Sequence, residues 1–315
     1  MEKIILDCDP GMDDSMAIIL AVKSSQLDVL AVTTVNGNYP AEITAKNARK
    51  VLELLGRTDI PVARGMESPM VREKPKDPFT HGKDGQAEAN LPEPEMPLSD
   101  KHAVNLIVDT IKAHPHEVTL VVTGPMSNIG MAMKLDPGII PLVKRIVAIS
   151  GAFGFNQYSF LNATGDTPQS EWNVYVDPEA AKIVYESGVP LEAVGLDVAT
   201  HFDVDFTEED LESFSASGNK EARFFANAIN FVHRRGFQSY CACIDCMAVA
   251  AVINPALIET RKYHVGVETK DGLTLGMTVR DGRHHFVWKN LPEIDVAVGA
   301  DYQGFLNLLK KAVLA

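Results

Sequence analysis

The chain has 315 residues, 46% hydrophobic and 23% charged, which allows a sizeable folded core and excludes a chain disordered throughout. A formal net charge of -13 and a pI near 5.1 exclude a surface built to neutralise phosphate backbones or anionic lipid, so neither nucleic acid nor membrane is expected as a partner.

The opening apolar run reaches Asp7 too soon for a signal-peptide core, and no later run is long enough to span a bilayer. A cytoplasmic protein is therefore expected. Cys8, Cys241, Cys243 and Cys246 are too few and too clustered for a disulfide framework and read as reduced thiols. Cys241-x-Cys243-x-x-Cys246 lacks the paired spacing of a usual zinc site.

In chain order, residues 3–9 read as a strand, 14–24 as a helix, 28–35 as a strand and 40–55 as a helix. From 66 to 100 the periodicity stops, and a proline-rich stretch of mixed charge surrounds Phe79-Thr80-His81-Gly82-Lys83-Asp84-Gly85. A structureless connection of this length in a compact domain reads as an active-site loop or as simple disorder, with the loop favoured. Alternation resumes with a helix over 101–113, strands over 118–123 and 145–150, a helix over 177–187 opened by Asp177-Pro178, and a strand over 191–197. Residues 220–253 read as helical with an interruption around Gly236 and Tyr240. The segments 263–269, 273–280 and 284–289 read as antiparallel strands joined through Asp271-Gly272 and Asp281-Gly282 turns. Strands alternating with helices predict an α/β fold: one domain over 1–315, with an open, mostly parallel twisted sheet (a Rossmann-like core), helices on both faces and a small antiparallel C-terminal extension.

The strongest chemical signal is Asp7-Cys8-Asp9-Pro10-Gly11-Met12-Asp13-Asp14, four carboxylates in eight residues where the first apolar strand ends. Ligands of open α/β sheets collect outside the carboxyl ends of strands, where a loop turns into a helix. Carboxylates this close repel one another, and burying one ionised and unpaired is expensive, so the cluster calls for a cation. A hard divalent ion suits it, because Ca²⁺ takes ~6–8 oxygen ligands in irregular geometry, whereas softer metals favour imidazole or thiolate. Helix capping accounts for Asp13 and Asp14 but not for all four acids. An aspartate-nucleophile phosphohydrolase also opens on Asp-x-Asp after its first strand, but leaves the Asp13-Asp14 pair and Gly11 unexplained.

The pattern Asp7-x-Asp9-Pro10-Gly11-x-Asp13-Asp14 resembles the N-terminal fingerprint of the nucleoside hydrolase family. Thr33-Thr34-Val35-Asn36-Gly37-Asn38 is similar to that family's second-strand motif, and Thr123-Gly124-Pro125-Met126-Ser127-Asn128 to its central Gly-Pro loop. Glu171-Trp172-Asn173 with Asp177-Pro178 is similar to its ribose-binding segment, and Asp245 stands where the family supplies its last metal ligand. The resemblance spans about the whole chain, with the segments in the family's order. It implies Ca²⁺-dependent hydrolysis of the N-glycosidic bond of small-molecule ribonucleosides in nucleoside salvage, by a homodimer or homotetramer. It further implies that Asp9, Asp14, the carbonyl of Thr123 and Asp245 hold Ca²⁺. Asp9 would also act as general base on the attacking water, and Asp13, Asn38, Asn173 and Glu171 would hold the ribose.

The base side departs from that pattern. Many relatives carry His or Trp just before the last metal-binding aspartate, where this chain has Ile244. Ile can neither protonate a leaving base nor stack on one, which leaves a second reading open: a nucleoside-binding or altered-substrate homologue with weak turnover. Glu171-Trp172-Asn173 resembles the purine-specific branch, so Trp172 as a stacking ring tilts the expectation toward purines over pyrimidine or broad specificity. His81 resembles the family's lid histidine. Tyr240 and His233, ahead of Arg234, are the candidate base contacts. Asn162, ahead of Asn156 and Asp166, is the candidate for the 5′-hydroxyl. Cys243 and Cys246 are expected to pack near the pocket floor.

Overall fold

The computed structural model describes residues 1–75 and 80–315; Phe79 and the rest of 76–79, within the expected active-site loop, lie outside the described residues. In chain order the elements are β1 (Glu2–Cys8), α1 (Met12–Lys23), β2 (Leu27–Thr34), α2 (Ala41–Leu54), β3 (Val62–Arg64), α3 (Ala103–Ala113), β4 (Val118–Val122), α4 (Ser127–Leu135), β5 (Arg145–Ile149), α5 (Tyr158–Leu161), α6 (Trp172–Val176), α7 (Pro178–Tyr185), β6 (Leu191–Val194) and α8 (Leu196–Ala199). There follow α9 (Glu208–Ala216), α10 (Lys220–Arg234), α11 (Tyr240–Cys243), α12 (Cys246–Ile253), β7 (Ile258–Val267), β8 (Thr278–Arg280), β9 (Glu293–Ala300) and α13 (Tyr302–Leu314).

The strands form one nine-stranded sheet in the order β3-β2-β1-β4-β5-β6-β9-β7-β8. Pairings from β3 through β6 to β9 are parallel, and β7 runs antiparallel to both β9 and β8. This is the expected single-domain α/β architecture with an antiparallel edge. Alternate residues of β1 explain why the sheet is covered twice: Ile4, Leu6 and Cys8 enter one core with α1, α10 and α12, while Ile5 enters the other with α3, α4 and α7. Apolar runs buried on both faces are what a central parallel strand requires.

The chain direction across the sheet reverses at β1, which lies between β2 and β4. A crevice opens there at the carboxyl ends of the strands, where ligands of such sheets bind. The expected strands overran their carboxyl ends: β1 stops at Cys8, β4 at Val122 and β5 at Ile149, and the next residues leave the ladder to line or support that crevice.

The C-terminal expectation needs correction. Residues 284–289 form no strand, and of 273–280 only Thr278–Arg280 does. The partner of β7 is β9, whose residues Asp295 and Val296 also extend the parallel sheet beside β6. Pairings this distant carry no local sequence signal. The break in 220–253 falls at Gly236, which takes a left-handed φ of 83° just after α10, and Tyr240 opens a new short helix rather than interrupting one.

Candidate active site

Asp9 follows β1 directly, and Asp13 and Asp14 occupy the first turn of α1, whose positive end favours acids. Asp14 is held by three donors: the backbone N–H of Asp9 (3.2 Å), that of Gly11 (3.1 Å) and the hydroxyl of Thr123 (2.8 Å). Asp9 Oδ2 accepts the backbone N–H of Asn38 at 2.6 Å. Two glycines wall in this carboxylate: a Cβ at position 37 would stand 1.9 Å from Asp9 Oδ2, and one at 124 would stand 2.9 Å from Oδ1. The Gly37 and Gly124 of the quoted motifs are thus there for close approach to an acid.

Asp245 arrives from the junction of α11 and α12, so that single carboxylate oxygens of Asp13, Asp14 and Asp245 lie within 4.8 Å of one another, all buried. Burial, then the charge of Asp13, lifts Asp14 to about 6. Burial, then the charge of Asp14, raises Asp9 well above the carboxylate range, and burial followed by Asp13 and Asp14 does the same to Asp245. Beneath them Asp7 is fully buried, its Oδ1 accepting from Thr33 (2.6 Å) and Asn128 (2.8 Å), and burial lifts it to about 7. No Lys or Arg lines the cavity among the described residues. Converging buried carboxylate oxygens, with His81 as the basic side chain among the described lining residues, form a site able to hold a hard metal ion.

Asn173, in α6, donates Nδ2 to the carbonyls of Thr123 (2.8 Å) and Ile149 (3.2 Å), fixing the ends of β4 and β5 beside the acids. Glu171 caps α6, accepting from the N–H groups of Asn173 (2.7 Å), Val174 (3.1 Å) and Gly151 (3.2 Å), and burial raises it to about 7.

The cavity of about 330 Å³ includes Asp9, Asp13, Asn38, Glu171, Asn173 and Asp245 in its lining, as well as Thr123. His81 also lines it. Its ring lies against Gly11, where a Cβ would be 2.6 Å from Nδ1, and Nδ1 stands 3.4 Å from Asp13 Oδ1. Residues 80–100 around His81 form no helix or strand but are well packed. The Tyr39 hydroxyl donates to the Gly82 carbonyl, Gln86 Nε2 to Ser15 Oγ (3.0 Å), and Arg235 to the Thr80 carbonyl (2.5 Å).

The opposite wall comprises Leu161, Phe237, Tyr240, Cys241 and Ile244. The Tyr240 hydroxyl donates to Asn162 Oδ1 at 3.0 Å, and Asn162 Nδ2 donates to Thr200 Oγ1 at 3.0 Å, so Asn162 is tied to the apolar wall. Trp172 lines the cavity with its ring stacked on Tyr175 (centroids 6.3 Å apart), and its buried indole N–H has no hydrogen-bond partner.

Three expectations shift. His233 lies outside the cavity lining, its Nε2 3.0 Å from Ser239 Oγ and 3.6 Å from Asp205, and Arg234 is exposed. Asn156 turns away, donating Nδ2 to the Asp197 carbonyl. The cysteine on the wall is Cys241, while Cys243 and Cys246 belong to the core cluster. Leu161 and Phe237 escaped the sequence reading because a residue ending a four-residue helix and one in an irregular segment carry no periodicity. Only the nearby helix-breaking Gly236 marked the place where Phe237 is exposed.

The family described as inosine-uridine preferring nucleoside hydrolase matches residues 4–307, a stretch that contains every acid of the cluster. The chain belongs to that family. It is 38% identical over 312 residues to a pyrimidine-specific ribonucleoside hydrolase, RihA, of Citrobacter koseri, covering 97% of this chain and 96% of the relative. Among solved structures, a plant nucleoside hydrolase superposes with a TM-score of 0.88 at 30% identity over 100% of this chain and 99% of its own. A purine-preferring ribonucleoside hydrolase from Gardnerella vaginalis superposes with 0.86 at 28% over 99% and 98%. The enzyme is therefore a glycosidase acting on the N-glycosyl bonds of ribonucleosides. No helix among the described residues is long and apolar enough to cross a membrane.

Proposed function

We propose that the enzyme is a Ca²⁺-dependent ribonucleosidase that releases free base and ribose, with Asp9 as general base. The observation that carries this reading is the convergence of buried carboxylate oxygens of Asp13, Asp14 and Asp245 within 4.8 Å of one another. Asp9, Asp14, the Thr123 carbonyl and Asp245 would hold the ion, with Asp13 within reach of the same point. Once bound, Ca²⁺ supplies charge that lowers the pKa of a water and fixes its place. The protein's own part is to accept that water's proton on Asp9, whose carboxylate is walled in by Gly37 and Gly124.

Asp13, Asn38, Asn173 and Glu171 form the polar end that receives the ribose, and the surrounding carboxylates favour the cationic transition state of glycosidic cleavage. Residues 66–100 act as an active-site loop, a reading supported by Thr80 and His81 in the lining. The base occupies the apolar end. Trp172 in the lining, with its unpartnered N–H, supports a modest preference for purines. The pyrimidine-specific name of the relative at 38% identity supports a second reading in which pyrimidines are preferred. Free thiols support a cytoplasmic setting, and the family resemblance supports assembly into a homodimer or homotetramer.

Ribose release from a panel of purine and pyrimidine nucleosides, with and without chelator, tests the proposal. Activity that survives complete Ca²⁺ removal, or an Asp9→Asn variant with unchanged kcat, refutes it.

A further inference from the structure

The apolar wall is poorly equipped to donate a proton. It holds two donors, the Tyr240 hydroxyl and the Cys241 thiol. The hydroxyl is already committed to Asn162 Oδ1 at 3.0 Å. Burial pushes the Tyr240 phenol up and the Cys241 thiol up to about 12, which makes both weak acids at neutral pH. His81 belongs to the other end, seated on Gly11 with Nδ1 3.4 Å from Asp13. Ile244, the wall residue next to Asp245, has nothing to donate.

The wall is, however, equipped to receive a cation. Phe237 and Tyr240 are among the lining of a cavity whose polar end is carboxylate, and no Lys or Arg is among the described lining residues. Arg235 sits outside the lining, over Phe231 and Phe237 at 5.3 and 5.9 Å, and is bonded to the Thr80 carbonyl.

Resting on the ribonucleosidase reading, we propose that the preferred substrates are ribonucleosides whose base carries a fixed positive charge, as in N-pyridinium or N-alkylated purine ribosides. A neutral base leaves as an anion and must be protonated, whereas a cationic base leaves neutral. In the proposed step the water oxygen bonds to C1′ and the bond from C1′ to the ring nitrogen breaks. The bonding electron pair moves onto that nitrogen and cancels the ring charge. The proton lost by water goes to the Asp9 carboxylate and then to solvent. Nothing is donated to the base, so the absence of an acid on the wall carries no penalty.

The test uses the 315-residue protein with Ca²⁺ and a matched pair, inosine and 7-methylinosine, which differ in the fixed charge. The N-riboside of 3-carbamoylpyridinium distinguishes the pyridinium source from the alkylated purine. Rates are normalised to uncatalysed hydrolysis of each compound. The expected result is an acceleration at least tenfold greater for one or both cationic ribosides than for inosine and uridine. In Ile244→His, which places a proton donor on the wall, the ratio of inosine to 7-methylinosine turnover should rise at least tenfold, whatever the change in either rate alone. An Asp9→Asn variant, read by calorimetry, should bind 7-methylinosine at least tenfold more tightly than inosine. Equal acceleration of the neutral and charged ribosides, or equal binding of the pair by Asp9→Asn, overturns the proposal while leaving the ribonucleosidase reading intact. Failure to hydrolyse any riboside overturns that reading instead, and the binding comparison still decides whether the wall selects a cation.

Discussion

Removing the metal should destabilise the protein in a pH-dependent way whose sign follows from the acid cluster. Asp14 has an ordinary value of 3.8 and rises to about 6 in the folded chain, first through burial and then through the charge of Asp13. A raised folded-state value means that the folded protein holds the proton more tightly than the unfolded chain. The resulting stability is fully present below pH ~4 and is lost as pH climbs through about 6. Each tenfold change in proton affinity is worth about 1.4 kcal/mol. Ionising Asp14 in the metal-free fold therefore costs about 3 kcal/mol relative to the unfolded chain, and Asp9 and Asp245 shift in the same direction. A bound dication offsets this above pH 7, whereas at pH 5 protons already do so in part. Calorimetric melting at pH 5 and pH 8, with Ca²⁺ and with excess chelator, should show chelation lowering Tm by roughly 5–10 °C more at pH 8 than at pH 5. An equal or larger effect at pH 5 would refute the reasoning.

Three further outcomes follow from the geometry. Gly37→Ala would put a methyl 1.9 Å from Asp9 Oδ2, so kcat should fall about 100-fold or more while the circular-dichroism spectrum is unchanged; near-normal turnover would show that Asp9 need not be held there. Asn128→Ala removes donors to Asp7 Oδ1 (2.8 Å) and the Thr34 carbonyl (3.0 Å) and an acceptor for the Met66 N–H (2.9 Å). With Asp7 fully buried, urea unfolding should show a loss of about 3 kcal/mol or more, and a change below 1 kcal/mol would deny the brace. A 2′-deoxyribonucleoside should be hydrolysed about 10- to 100-fold less efficiently than its ribose counterpart, because polar groups built for the hydroxyl would be left unpaired at about 1–3 kcal/mol each. Equal kcat/KM would remove the ribose contacts.

Much of the site was legible in the sequence because the chemistry is concentrated in short stretches. The acids of 7–14 call for a cation whatever the fold, and strand-loop-helix order places them at the carboxyl end of the sheet. Helix starts such as Asp177-Pro178 were equally local, since the Asp177 side chain accepts the Ala180 N–H at 3.0 Å. What the tertiary structure decided were the meetings between distant segments. Asp245 joins Asp13 and Asp14 across more than two hundred residues, and β9 serves both β6 and β7. His233 is on the expected helix but turned to Ser239, while Phe237 reaches the cavity from an irregular segment and Leu161 from the end of the short α5. Local pattern fixes which residues are charged, apolar or able to cap a helix, because those preferences act within a few positions along the chain. Which side chains face one another across a cavity depends on how whole elements pack, and no single segment carries that information.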